Sequence, residues 1–142
     1  MELMMYNTLW TPDDFITNNP PDMSINKFIS NNFRNSKIEK CIIKNINGEI
    51  ISNNNKFFRI LIDILRTMDT EQILQKTSFC IKLDKYTLKG YKWCPDIKLS
   101  IQRKEGSDTL KEIIKMVDIN NYLIYIEIKL ASGDVIQYGK KI

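Results

Sequence analysis

Apolar and polar side chains first alternate along residues 38–46. Ile38, Lys40, Ile42, Lys44 and Ile46 fall on one side of an extended chain, and Glu39, Cys41, Ile43 and Asn45 on the other. Asn47-Gly48 then tolerates the positive φ of a tight turn before Glu49-Ile50-Ile51, which predicts a β-hairpin. From Phe57 the period lengthens. Phe57, Ile60, Leu61, Ile64, Leu65 and Met68 recur at helical spacing, with Arg59, Asp63, Arg66 and Thr67 elsewhere on the wheel. This predicts an amphipathic helix over 56–68 whose stripe packs on a sheet, with Asn53, Asn54 or Asn55 placed to cap it. Residues 79–85 and 97–102 alternate as half-buried strands do, and the stretch between them, with Tyr91, Trp93 and Pro95, reads as a loop. Gly106-Ser107-Asp108-Thr109 announces a second helix, with Thr109 and Glu112 at capping-box spacing and Leu110, Ile113, Ile114 and Val117 on its apolar side. Residues 122–130 form a last long strand, which Ala131-Ser132-Gly133-Asp134 turns into residues 135–138.

This order predicts the α+β class, a largely antiparallel β-sheet packed by two main helices. Residues 1–36 scatter Leu9, Trp10, Phe15, Phe28 and Phe33 among Asn and Pro and read as an extended N-terminal arm, with a short helix near 25–32. Residues 37–142 read as a single globular domain without repeats. A hydrophobic fraction of 43% in 142 residues is enough for a real core and excludes general disorder.

Charge adds an asymmetry. Glu2, Asp13, Asp14 and Asp22 all precede the first cation, Lys27, so the remainder carries +8 within a chain of net +4. A basic body behind an acidic, aromatic-bearing leader suits an anionic partner, such as nucleic acid or a lipid surface, or docking of the leader on another copy. Cys41, Cys80 and Cys94 lack CxxC spacing and read as buried, reduced thiols of a cytosolic protein. No apolar run approaches the roughly 20 residues of a membrane span, and no signal-peptide plan opens the chain.

The absence of histidine excludes Ser-His-Asp and Cys-His catalysis and most zinc hydrolase sites. No GxGxxG or GxxxxGK[ST] is present, and no cofactor or small-molecule substrate is expected. One enzymatic pattern survives. Pro95-Asp96, followed by Glu127-Ile128-Lys129 on an apolar strand, looks like a PD-(D/E)xK nuclease signature, in which Asp96 and Glu127 would hold Mg²⁺ and Lys129 would help activate water. A predicted helix separates its halves, however, and only thirteen residues follow Lys129. The alternative places Glu127 and Lys129 on the solvent side of an ordinary strand. A non-catalytic nucleic-acid binder is the third class: Lys82, Lys85, Lys89 and Lys92 flank Tyr86 and Tyr91, an interleaving that contacts phosphates and stacks bases.

The run from the strand at 97–102 through the second helix to Leu123-Ile124-Tyr125-Ile126-Glu127-Ile128-Lys129-Leu130-Ala131-Ser132-Gly133 and a last strand resembles the closing hairpin region of rhabdovirus matrix proteins. Asn55-Lys56-Phe57-Phe58-Arg59, opening the first helix after a hairpin, is similar to an aromatic-Arg segment of that family. The resemblance covers residues 38–142. It implies a viral structural protein of the virion interior and host cytoplasm, which condenses the viral nucleocapsid beneath the envelope. It also implies self-association as a head-to-tail polymer, with Leu9, Trp10, Asp13, Asp14 and Phe15 of one copy on the body of the next, and contact of Lys82, Lys85, Lys89 and Lys92 with an anionic partner, including a membrane surface. The chain departs from animal members in its acidic start and in having only Asn19-Pro20-Pro21-Asp22 where they carry budding motifs.

Overall fold

A computed structural model of the protein describes residues 25–140. In chain order its elements are α1 (Ile25–Ile29), β1 (Lys37–Lys44), β2 (Ile50–Ser52), α2 (Phe57–Leu65), α3 (Thr70–Lys76), β3 (Ile81–Lys82), β4 (Tyr91–Cys94), β5 (Leu99–Gln102), α4 (Gly106–Ile119), β6 (Leu123–Lys129) and β7 (Val135–Lys140). They make two antiparallel sheets, ordered β2-β1-β6-β7 and β3-β5-β4, and a mixed α+β fold.

The larger sheet is closed by the pairing of β1 with β6. Ile38, Cys41 and Ile43 sit opposite Ile128, Ile126 and Ile124, and all six are buried on one inner face. Strict alternation would put Ile38 and Ile42 on the same side. A bulge at Glu39 corrects this: Ile38 pairs with Ile128, but it is Lys40 that pairs with Glu127, so the face changes after one extra residue. The β1–β2 turn forms as expected. Gly48 takes φ 84°, and the Asn45 carboxamide oxygen accepts from the amides of Asn47 (3.0 Å) and Glu49 (2.9 Å). Gly133, at φ 96°, turns β6 into β7.

Helix α2 lies against β2 and α4, and seven of its nine residues are buried. No Asn caps it: its N-cap is Lys56, without a side-chain bond, because the Asn54 carboxamide is spent on the Asp63 carboxylate. Helix α3 was not expected, although Asp69 and Gln72 form the full capping box that announces it. The Thr109–Glu112 capping box does not form. Thr109 donates back to the Glu105 carbonyl (2.9 Å), and Glu112, 3% exposed, accepts from the Thr77 hydroxyl (2.7 Å), the Ser78 amide (2.9 Å) and the Ser78 hydroxyl (2.7 Å).

The smaller sheet departs most from expectation. The strand at 79–85 shrinks to two residues, and part of the anticipated loop, Tyr91–Cys94, is a strand. Ser100 explains the first change. Buried on β5, its hydroxyl donates to the Asp84 carbonyl (2.7 Å) and accepts from the Tyr86 amide (2.8 Å), drawing the chain across β5 instead of alongside it. The second follows from a short hairpin after Cys94, where the Ile97 amide returns to the Cys94 carbonyl and Lys98 adopts φ 54°.

One core cluster joins both sheets and the helices. It includes Phe28 and Phe33, whose ring centres lie 6.0 Å apart at a tilt of 57°, with Phe28 also 5.2 Å from Tyr138, so the end of the anticipated arm belongs to the body. The arm residues Leu9, Trp10, Asp13, Asp14 and Phe15 lie outside the described residues. The thiols also need correction: Cys41 and Cys94 are buried, but Cys80 is exposed. Burial raises the pKa of Cys41 and Cys94 above the ordinary thiol value, so both stay protonated near neutrality.

Two outcomes follow. Leu61→Ala, at a fully buried position of α2, should cost about 2–5 kcal/mol in urea unfolding, whereas Leu88→Ala, at an exposed one, should stay within about 0.5 kcal/mol. A thiol reagent at pH 7 should modify Cys80 alone in the folded protein. Because the two buried thiols have raised pKa values in the folded state only, their contribution to stability should be full below the unfolded thiol pKa, about 8.5, and decline as pH rises above it.

A candidate anion-binding cleft

Where α2 begins, three segments bring cations together. Lys56 and Arg59 come from the first turn of α2, Lys92 from β4, and Arg103 and Lys104 from the link between β5 and α4. With Phe57, Phe58, Gly106 and Thr109 they line a cleft of about 420 Å³. All five cations are exposed, and among the described residues none of them is ion-paired and no carboxylate lines the cleft. The nearest in sequence, Glu105, borders a separate pocket with Asn31, Asn32 and Asn35. Its walls are aromatic. The Arg103 guanidinium lies 5.1 Å from the centre of the Phe58 ring, and a Cβ on Gly106 would stand 3.0 Å from the Phe57 ring, so glycine lets α4 begin against it.

A smaller recess of about 280 Å³ shares Phe58, Arg59 and Lys92 with the cleft and continues to Trp93 and Asp96. Its floor is a polar clamp. Asp63, 9% exposed on α2, accepts from the Ser52 hydroxyl (2.8 Å) and from Asn54, and Arg66 joins Asp63 (3.1 Å) to Asp96 (3.1 Å). The clamp ties the β2–α2 link and the β4–β5 turn to one helix.

The residues singled out in the sequence fall differently. Asp96 is on the β4–β5 turn, bound to Arg66, whereas Glu127 is on the outer face of the larger sheet, where its carboxylate accepts from the Tyr125 hydroxyl (2.8 Å). Lys129, exposed on that same outer face, stands opposite Lys37. The sheet lies between Glu127 and the helix that carries Asp96's partner, so the nuclease trio is not assembled. Among the described residues no three Cys, Asp or Glu side chains are grouped to hold a metal ion.

The four lysines of the anticipated basic surface do not share one face. Lys82 pairs with Ser100, and Ser100 with Trp93, so Lys82 points to the side opposite Lys92, which pairs with Ile101. Lys82 lies over the Tyr86 ring (5.4 Å), itself edge-on to Tyr91 (4.9 Å). Lys85 and Lys89 are exposed in the intervening loop, and only Lys92 joins the cleft. Lys56, Arg59, Arg103 and Lys104 were missed, yet a signal was present. Basic pairs immediately precede or open both main helices, where the macrodipole disfavours cations.

No family model, curated protein or solved structure matches the chain. No helix among the described residues is long and apolar enough to cross a membrane.

The clamp makes a graded prediction. Asp63→Ala strands one buried donor, Ser52, one half-buried donor, Asn54, and one end of Arg66 and should cost about 2–4 kcal/mol, whereas Asp96→Ala, which removes an exposed pair, should cost under about 1 kcal/mol by thermal or urea unfolding.

Proposed function

We propose that this chain is a non-catalytic assembly protein that grips the RNA of a ribonucleoprotein through the cleft, in the manner of a small viral matrix protein. The observation that carries the reading is the set of five cations around an aromatic-walled cleft with no carboxylate among its described lining residues. Such a set is unfavourable to the protein alone. Like charges about 10 Å apart in water repel by about 0.4 kcal/mol, and two of the five stand at the positive end of α2, whose first turn has no acidic residue. A phosphate backbone would remove both penalties, and the half-buried rings of Phe57 in the cleft and Trp93 in the adjoining recess offer surfaces for unpaired bases.

Catalysis has less support. Asp96 is engaged by Arg66 and is separated from Glu127, so a shared Mg²⁺ would need both to leave their partners. The resemblance to matrix proteins supplies the remaining content of the reading: self-association of copies, action on a nucleocapsid, and contact with an anionic membrane surface.

Anisotropy titration of a labelled single-stranded RNA tests it. With five phosphates neutralised, log affinity should fall with log salt at a slope of about −3.5, roughly a hundredfold loss between about 50 and 200 mM. Arg59→Glu with Arg103→Glu should weaken binding at least about tenfold, while Lys85→Glu with Lys89→Glu should leave it nearly unchanged. Equal effects of the two pairs would remove the cleft from the reading. Mg²⁺-dependent cleavage that disappears in Asp96→Ala would replace it with the nuclease.

A further inference from the structure

The recess beside the cleft has the opposite polar character. The cleft gathers cations with no carboxylate among its described lining residues, whereas the recess, which shares Phe58, Arg59 and Lys92 with it, also holds Asp63 and Asp96. Asp63 is spent: one of its oxygens accepts from Ser52 and Asn54, and the other from Arg66. Asp96 is only half engaged. Arg66 reaches its Oδ2 alone, through Nε at 3.1 Å, and its side chain is 59% exposed. Its Oδ1 accepts no bond among the described residues. A carboxylate has about four lone-pair sites, so Asp96 can still accept two or more bonds.

A carboxylate in that position repels a phosphate, so the recess does not extend the phosphate grip of the cleft. It suits a neutral group that brings N–H donors. Its volume, about 280 Å³, lies just below the roughly 300–1,000 Å³ of pockets for drug-sized ligands, and Phe58, Ile62, Trp93 and Pro95 give it apolar sides. One flat heteroaromatic ring with donors on its edge meets these conditions.

We infer that the recess is a base subsite that selects guanine in the RNA whose phosphates the cleft holds, with Asp96 reading the base edge. The inference rests on the proposed grip of the cleft on RNA. Guanine alone among the four bases places two adjacent donors, N1–H and the N2 amine, on its Watson–Crick edge, and these match the two oxygens of a carboxylate. Adenine and cytosine set a ring-nitrogen lone pair beside their amine, and uracil sets its single N–H between two carbonyls, so each turns an acceptor toward Asp96. Guanine O6 in turn needs a donor. Arg59 and Lys92, exposed where recess and cleft meet, can supply it, and the half-buried Trp93 offers a stacking face. Arg66, itself tied to Asp63, is the positioning residue that holds the Asp96 carboxylate in place.

Anisotropy titration of the full chain at fixed salt tests this with short single-stranded RNAs of uridine that carry one central guanosine, inosine or adenosine. The guanosine RNA should bind at least about fivefold more tightly than the adenosine RNA. Inosine keeps N1–H and O6 but lacks the N2 amine, and should lose most of that advantage. Asp96→Asn retains an acceptor for Arg66 but turns one oxygen into a donor group. It should bring guanosine and adenosine to equal affinity and leave an all-uridine RNA within about twofold of its value. Equal affinities for guanosine and adenosine in the unmodified chain would overturn the inference, and tight, salt-sensitive binding of the all-uridine RNA would then leave the role of the cleft standing. A guanosine preference that survives Asp96→Asn, or that inosine keeps in full, would overturn it too. Failure of every RNA to bind would remove both the inference and the reading on which it rests. The inosine comparison needs no substitution in the protein, so the test does not depend on how the variant folds.

Discussion

The burial of α2 on nearly all sides is the constraint from which the rest of the molecule follows. Ile60, Leu61, Ile64 and Leu65 are fully buried, each contributing about 1.5–3 kcal/mol, and Phe58 and Ile62 are almost so. A helix of nine residues is too short to persist alone in water, so it exists only because β2, α4 and the rest of the core cluster surround it. In return it fixes them: Asp63 holds the β2–α2 link, Arg66 reaches the β4–β5 turn, and the first turn presents Lys56 and Arg59 to the cleft. Shifting α2 by one residue would exchange core side chains for charged ones and dismantle the cleft at the same time.

Buried polar side chains do the corresponding work for the loops. Asp63, Ser100 and Glu112 are each less than 10% exposed, and each bonds to residues at least ten positions away. A buried acceptor left without a donor costs about 1–3 kcal/mol, more when charged, so each fixes one arrangement of its loop rather than merely favouring it. This is how a small protein with long, polar connections keeps its second sheet. β3 and β5 meet over only two residue pairs, and Ser100 holds the segment that follows.

The same distinction explains which elements were legible in the sequence. The hairpin at Asn47-Gly48, the stripe of α2, the apolar side of α4 and the closing strands were readable, because periodicity and turn residues are local properties and the core agrees with them. Capping was misread at Asn53–Asn55 and at Thr109 because these side chains had two possible partners, and tertiary donors or acceptors won. The strand at Tyr91–Cys94 was hidden because Tyr91 and Trp93 face outward while Lys92 takes a core-side position at the sheet's edge. Of the cleft, only Lys92 was anticipated. Its other cations are separated by up to 48 residues, and no sequence pattern tells which helix ends will meet.

The two faces that result carry opposite electrostatic logic. On the outer face, Lys40 stands opposite Glu127 across β1 and β6, so cations and a carboxylate share one layer. In the cleft no carboxylate stands among the described lining residues, and Asp63 and Asp96, nearby, are already ion-paired with Arg66. The aromatic contacts of Arg103 hold its guanidinium in place without neutralising it. Five clustered cations with no carboxylate among the described residues that line their cleft repel one another. Their arrangement gives up intramolecular stability, and an anion seated in the cleft, as the proposed grip on RNA requires, would return it.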